Sequence, residues 1–226
     1  MTSDEKPLER ILSAIGLVAT EHQLATLIRY LSLLKRWNET YNLTAVRGTD
    51  GMLIQHLADC AAVIPSLRRG LRFGRLLDVG SGAGLPGIVI ATLLPDVDVT
   101  CVDSVGKKAA FVRQAAGELK LSNLQSVHAR AEALSAIGFD VITSRAFGSL
   151  EAFTAATEKH LAAHGVWMAM KGKAPTDEIS GLPDRIEVFH VEQLRVPGMN
   201  ADRCLVWMRK QSEGASRSFS QPHLLI

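Results

Sequence analysis

The densest run of chemistry-bearing residues is Asp78-Val79-Gly80-Ser81-Gly82-Ala83-Gly84-Leu85-Pro86-Gly87. Glycines spaced this closely let a backbone turn tightly and come within contact distance of a bound molecule. A helix that starts directly after such a loop aims its unpaired N–H groups and the positive end of its dipole at the same place. Asp103 follows Gly82 by 21 residues, where nucleotide-binding α/β folds place a carboxylate on a ribose diol. Gly80, Gly82, Gly84 and Asp103 are therefore expected to hold a nucleoside-bearing cofactor. A turn needed only for strand–helix packing seldom carries so many glycines.

Two further segments belong with this loop. In Ala129-Arg130-Ala131-Glu132, the backbone amide of Ala131 and the carboxylate of Glu132 could meet an adenine edge; the alternative is a helix start favoured by Glu132. In Ser144-Arg145-Ala146-Phe147, the Arg145 guanidinium could pair with a phosphate or carboxylate or stack on a base, unless a neighbouring acid neutralises it. What is missing matters equally. An Asn/Asp-Pro-Pro-aromatic loop here would suit chemistry at an exocyclic amine, and a thiolate would suit attack on a pyrimidine carbon. Neither is found, and Cys101, next to Val102 inside a strand pattern, reads as core. Lys171-Gly172-Lys173 ends another strand pattern with two cations around a glycine, which suits a nucleic-acid backbone. His160 and His164 share an i, i+4 spacing, but zinc needs further ligands that the pattern does not offer, so no metal site is expected.

These segments need elements to hold them. The first third reads as helices: Leu8, Ile11, Leu12 and Ile15 up to Gly16; a helix with capping-box spacing, Thr20 to Gln23, ahead of Leu24, Leu27, Ile28, Leu31 and Leu34; and a third entered near Thr49-Asp50 and stopped by Pro65. From Arg75 short apolar runs of strand length alternate with helical segments. The strands are expected at 76–79, 97–102, 124–128, 139–143 and 166–170, with helices at 86–94, 107–119 and 150–161. That alternation implies a parallel sheet covered on both faces. Two later runs, 186–194 and 204–208, are expected to close it as an antiparallel hairpin.

Seven strands ordered this way resemble an α/β Rossmann-like, class I S-adenosylmethionine-dependent methyltransferase more than a six-strand dinucleotide fold. A glycine loop followed by an acid also fits nicotinamide and flavin proteins. Three details favour S-adenosylmethionine: an aspartate two residues before the first glycine, the Gly-x-Gly-x-Gly-x-x-Gly spacing, and a long helical extension ahead of the first strand. The chain divides into an N-terminal helical extension (1–70), a methyltransferase domain (71–210) and a Ser/Gly/Gln-rich tail (211–226) expected to be disordered.

Composition sets the outer limits. The chain has 226 residues, 47% apolar and 21% charged, with a formal net charge of +2. Such a balance excludes a strongly acidic or basic tail protein. Three separated cysteines, Cys60, Cys101 and Cys204, argue against a disulfide framework and for a reducing, cytoplasmic setting. The polar start lacks the pattern of a secretory signal. The longest uncharged apolar stretch, Gly84 to Leu94, is far short of the ~20 residues of a membrane span.

With these motifs assembled, nearly the whole chain resembles the bacterial ribosomal RNA small subunit methyltransferase G family, also called glucose-inhibited division protein B. The resemblance is carried by Trp37-Asn38-Glu39-Thr40-Tyr41-Asn42-Leu43-Thr44-Ala45-Val46-Arg47, His56-Leu57-Ala58-Asp59-Cys60, Asp78 to Gly87, Asp103-Ser104-Val105-Gly106-Lys107-Lys108, Ser144-Arg145-Ala146-Phe147 and Met170-Lys171-Gly172. It implies methyl transfer from S-adenosylmethionine, leaving S-adenosylhomocysteine, to N7 of a guanine in the 530 loop of 16S ribosomal RNA. It places Gly80, Leu85, Ala131, Glu132 and Arg145 against the cofactor and Asp103 on its ribose. Guanine N7 has an exposed lone pair, so direct in-line attack needs no general base, and Arg145 is expected to position rather than to move protons. Asp59-Cys60 replaces the Asp-Ser of many relatives, and the tail beyond Lys210 is unlike theirs.

Charge balances of +2, −3 and +3 for residues 1–74, 75–194 and 195–226 put positive charge outside the middle of the sheet domain. Lys171, Lys173, Arg195, Arg203, Arg209 and Lys210 are therefore expected to touch RNA phosphates. No large unexplained apolar stripe calls for a partner chain, so a monomer acting on 16S RNA or the 30S subunit is expected. A small-molecule methyltransferase, a nicotinamide oxidoreductase and a non-catalytic nucleotide- or RNA-binding module stay open as other readings.

Overall fold

A computed structural model describes residues 5–69 and 73–211. The expected boundary at residues 70 and 71 and the tail from residue 212 lie outside them. Helix α1 (Glu5–Ala14) ends before Gly16, and α2 (Glu21–Tyr41) starts on the expected capping box. There Thr20 Oγ1 accepts the Gln23 N–H at 3.2 Å, and Gln23 Oε1 accepts the Thr20 N–H at 2.9 Å, satisfying two donors that a helix start leaves open.

The expected third helix is more broken than its periodicity suggests. It runs as α3 (Thr49–Met52), a π-helical turn (Leu53–Ala58) and α4 (Asp59–Ala61). The Asp59 N–H reaches back five residues to the Ile54 carbonyl, the bonding of a π turn. Pro65 does not stop a helix. It sits in the first turn of α5 (Ile64–Arg68), where a missing N–H costs nothing.

The sheet domain follows as β1 (Arg75–Val79), α6 (Gly87–Leu93), β2 (Asp98–Asp103), α7 (Gly106–Leu119), β3 (Leu124–His128), β4 (Phe139–Ser144), α8 (Leu150–Thr157), β5 (Leu161–Lys171), α9 (Thr176–Ser180), β6 (Ile186–Gln193) and β7 (Cys204–Lys210). The seven strands are ordered β3-β2-β1-β4-β5-β7-β6. Neighbours from β3 to β5 are parallel, whereas β7 is antiparallel to both β5 and β6, as the sequence implies. One boundary differs. Strand β5 starts at Leu161, paired with Phe139, because α8 ends at Thr157 and passes through a 3₁₀ turn. His160 and His164 therefore never share a helix face.

Alternation sorts the core onto two faces. Leu76, Val99, Val141, Met168 and Leu205 pack with α6, α7 and the helices of the extension. Leu77, Val102, Ile142, Trp167 and Val206 pack with α8 and the turns around it. With both faces covered, the parallel strands are apolar on both sides. Their polar chemistry is displaced to the strand ends. At that carboxyl edge stand Asp103, His128, Ser144 and Lys171, where open α/β sheets bind ligands. Among the described residues, no helix is long and apolar enough to cross a membrane.

Candidate active site

The glycine loop leaves β1 with Gly80 and Gly82 at φ +65° and +58°, values that favour glycine. The Gly80 and Ser81 N–H groups both donate to the Val102 carbonyl, at 2.9 and 3.2 Å, which ties the loop to β2. Gly82 N–H donates to Asp103 Oδ2 and Val105 N–H to Asp103 Oδ1, each at 2.8 Å. Each carboxylate oxygen keeps a second lone pair, so Asp103 can brace the loop and still accept from a ribose. Gly84 and Leu85 face inward. A Cβ on Gly84 would stand 2.6 Å from Ile88 Cδ1, and Leu85 is buried. On the other side, the buried Tyr30 hydroxyl of α2 donates to the Ala83 carbonyl at 2.8 Å, so the extension also fixes the loop.

Asp78 lies fully buried beneath this turn. Its Oδ2 accepts the Gly87 N–H at 2.8 Å, while Oδ1 has no partner. Burial pushes this carboxyl up to about 7. The folded protein therefore holds a proton that the unfolded chain releases near pH 4, so Asp78 contributes stability that is fully present below that pH and lost as pH rises through about 7. In Asp78→Asn this loss is absent. Relative to wild type, the variant should gain about 1 kcal/mol per pH unit between pH 5 and 7 and nothing more above pH 8, measured by urea unfolding. His56 shifts the opposite way but is common to both proteins and drops out of the difference.

Two cavities open at the carboxyl edge. The first, about 320 Å³, is lined by Gly80, Asp103, Glu132 and Phe147 among others. Its 3₁₀ turn, Ala131–Ala133, is fixed from behind. The buried His160 ring has Nε2 2.9 Å from the Ala131 carbonyl and Nδ1 2.8 Å from that of Ala136, and Lys159 Nζ donates to the Glu132 carbonyl at 2.6 Å. Two carboxylates with spare acceptor capacity and the apolar wall of Val79, Val102 and Phe147 fit a ribose and an adenine.

The second cavity, about 440 Å³, is lined by Thr44, His56, Asp59, Arg145, Lys171 and Arg203 among others. Ala146 lines this cavity and the adjacent Phe147 the first. Arg145 is neutralised by an acid after all, one 86 residues upstream. Its Nη1 lies 3.6 Å from Asp59 Oδ2 and donates to the Gln55 carbonyl at 3.0 Å. Arg203 Nε donates to Asp59 Oδ1 at 2.8 Å. Beside them His56 Nε2 meets Thr44 Oγ1 at 2.9 Å. Burial and the nearby Arg145 lower this histidine to about 4, which keeps it neutral at physiological pH.

Three of the six cations expected on phosphates are already engaged with acids: Lys171 with Glu178, Arg203 with Asp59 and Arg209 with Glu187. Lys173, Arg195 and Lys210 are exposed and form no ion pair among the described residues.

A family model described as rRNA small subunit methyltransferase G matches residues 23–206. The chain belongs to this family. Members from Acidovorax ebreus and Leptothrix cholodnii, each named ribosomal RNA small subunit methyltransferase G, are 53% and 51% identical. Their alignments cover 92% and 96% of the chain and 96% and 100% of the relatives. Solved structures share the fold at lower identity. A glycopeptide N-methyltransferase, MtfA, complexed with S-adenosylmethionine superposes with TM-score 0.58 at 12% identity, over 69% of this chain and 95% of its own. TrmN from Thermus thermophilus gives 0.53 at 20% identity, over 77% and 53%. The chain is thus an S-adenosylmethionine-dependent methyltransferase, and the smaller cavity has the groups to hold that cofactor.

Sequence pattern assigns no role to Tyr30, His56 or Asp59. The last two lie in the His56-Leu57-Ala58-Asp59-Cys60 segment, whose helical periodicity speaks only of its apolar face. Trp37 is half-buried against Phe111, with ring centroids 5.4 Å apart, and Tyr41 stacks on it and stays exposed. Asn38 is buried and accepts the Thr44 N–H at 2.9 Å, fixing the strip that walls the larger cavity.

Proposed function

We propose that this enzyme methylates N7 of a guanine in the 530 loop of 16S ribosomal RNA, acting as a monomer in the reducing cytoplasm, where its three free cysteines stay buried thiols. The observation that carries the reading is the pair of cavities at the carboxyl edge, one lined by Phe147 and suited to a nucleoside cofactor, the other lined by the adjacent Ala146, cationic and equipped for positioning. Gly80, Gly82, Asp103, Ala131 and Glu132 would hold the cofactor, with the inward-facing Gly84 and Leu85 shaping the loop behind them. When bound, S-adenosylmethionine supplies an electrophilic methyl, which the exposed N7 lone pair can take without prior loss of a proton.

The side chains of the larger cavity suit that chemistry. Asp59 is held between two guanidiniums and His56 Nε2 is committed to Thr44, so the residues are arranged to orient a base rather than to relay protons. Arg145 holds the junction between sheet and extension, which keeps the positioning groups in place. Mapping of N7-methylguanosine on 16S RNA, treated with and without the protein, should reveal one new modified guanine, in the 530 loop. No new modified guanine would favour a small-molecule methyltransferase or a nucleotide-binding module.

RNA phosphates are the proposed partners of Lys173, Arg195 and Lys210. Affinity for small-subunit RNA should fall as salt rises, and the triple alanine variant should flatten the log–log slope by roughly 2 to 3, given ~0.7–0.9 per phosphate contact. An unchanged slope places the RNA elsewhere.

A further inference from the structure

Asp59 is only 2% exposed, yet it stands on the wall of the larger cavity. Both carboxylate oxygens keep acceptor capacity. Among the described residues, Oδ1 takes one hydrogen bond, from Arg203, and Oδ2 takes none, with Arg145 3.6 Å away. His56, on the same wall, is 4% exposed, and its Nε2 is taken up by the Thr44 hydroxyl, which also accepts the Val46 N–H at 3.1 Å. The wall thus presents a carboxylate with room for two more donors.

That carboxylate complements one base. Away from N7, guanine offers two neighbouring donors, N1–H and the N2 amino group. Adenine has no such pair and would set its N1 lone pair against the carboxylate. We propose that Asp59 is the specificity-determining residue for the acceptor base, its two oxygens accepting from guanine N1–H and the N2 amino group. This assignment rests on the guanine-N7 reading above.

Inosine tests it, because it keeps N7, O6 and N1–H and lacks only the amino group. Small subunits are reconstituted with 16S RNA carrying guanosine or inosine at the methylated position, and kcat/KM is measured for wild type and Asp59→Asn. Wild type should favour guanosine by about 10- to 100-fold, the worth of a hydrogen bond to a charged acceptor. Asp59→Asn should compress that ratio to less than about 3-fold while binding S-adenosylhomocysteine as wild type does. An uncompressed ratio overturns the proposal, as does a variant whose cofactor affinity falls in step with its activity. If the variant does not fold, wild type alone decides: inosine accepted as readily as guanosine overturns the proposal, and a 10-fold preference supports it. Failure of wild type to methylate the guanosine subunit rejects the guanine-N7 reading itself.

Discussion

Trp167→Ala is expected to destabilise the protein by about 4 kcal/mol, within the range of ~3–5 for loss of a large buried aromatic side chain. Trp167 is fully buried in β5, between Ile142 of β4 and Met208 of β7. It points to the sheet face that α8 covers, with Phe139, Phe153 and Leu150 in the same cluster. Its Nε1 donates to Thr157 Oγ1 at 2.9 Å, and that hydroxyl donates in turn to the Phe153 carbonyl at 2.7 Å. Thr157 keeps its own acceptor in the variant, so the cost is one of lost contacts and an unfilled space, not of an orphaned polar group. For a chain of this size the melting temperature should fall by roughly 10 °C, at about 2–4 °C per kcal/mol. Urea unfolding checks it; a loss under about 1.5 kcal/mol would mean that α8 closes over the gap.

Arg145→Ala should lower kcat/KM by about 10²- to 10³-fold, or about 3–4 kcal/mol of transition-state stabilisation, and leave the melting temperature much closer to wild type. The guanidinium is partly open to water, which moderates its contribution to folding. Its position makes it matter for activity. One side chain spans from the end of β4 to the Gln55 carbonyl, to Asp59 and to within 3.8 Å of Cys60 Sγ. Without it Asp59 leans on Arg203 alone and the wall between the two cavities loses its brace. Arg145→Lys should recover only a small part, since the shorter lysine stem leaves its ammonium short of the place from which Nη1 reaches Gln55 and Asp59. Single-turnover rate and cofactor affinity are the two readouts, and no change in either removes Arg145 from the site.

Both residues show what a sequence carries and what it does not. Trp167 stands in an apolar run bounded by turn signals, so its strand and its burial follow from local pattern alone. The same holds for the capped start of α2 and the glycine loop, each written within about ten consecutive residues, and for the antiparallel closure of the sheet, written between residues 186 and 208. Arg145 was legible as a cation at a strand end, but its partner was not. Asp59 belongs to a segment whose periodicity speaks only of its buried face, and no spacing rule connects positions 59, 145 and 203. They are brought together by the order of the strands and by the extension lying across their ends. The break at Leu53–Ala58 was hidden for a related reason: a π turn differs from an α turn by one residue, and an apolar stripe spread over several positions absorbs that slip.

That slip gives the extension a phase. A helix advances about 100° per residue, so everything after the π turn is rotated relative to where an unbroken helix would carry it, and Asp59 and Cys60 are the first to feel it. Shortening or lengthening this segment by a single codon would keep its hydrophobicity and its length almost intact, yet swing the carboxylate off the cavity wall. The N-terminal third looks like an appendage to a sheet that many unrelated methyltransferases share. Its rotational setting decides which side chains stand on the larger cavity's wall, and that setting, unlike a side chain, cannot drift by small steps.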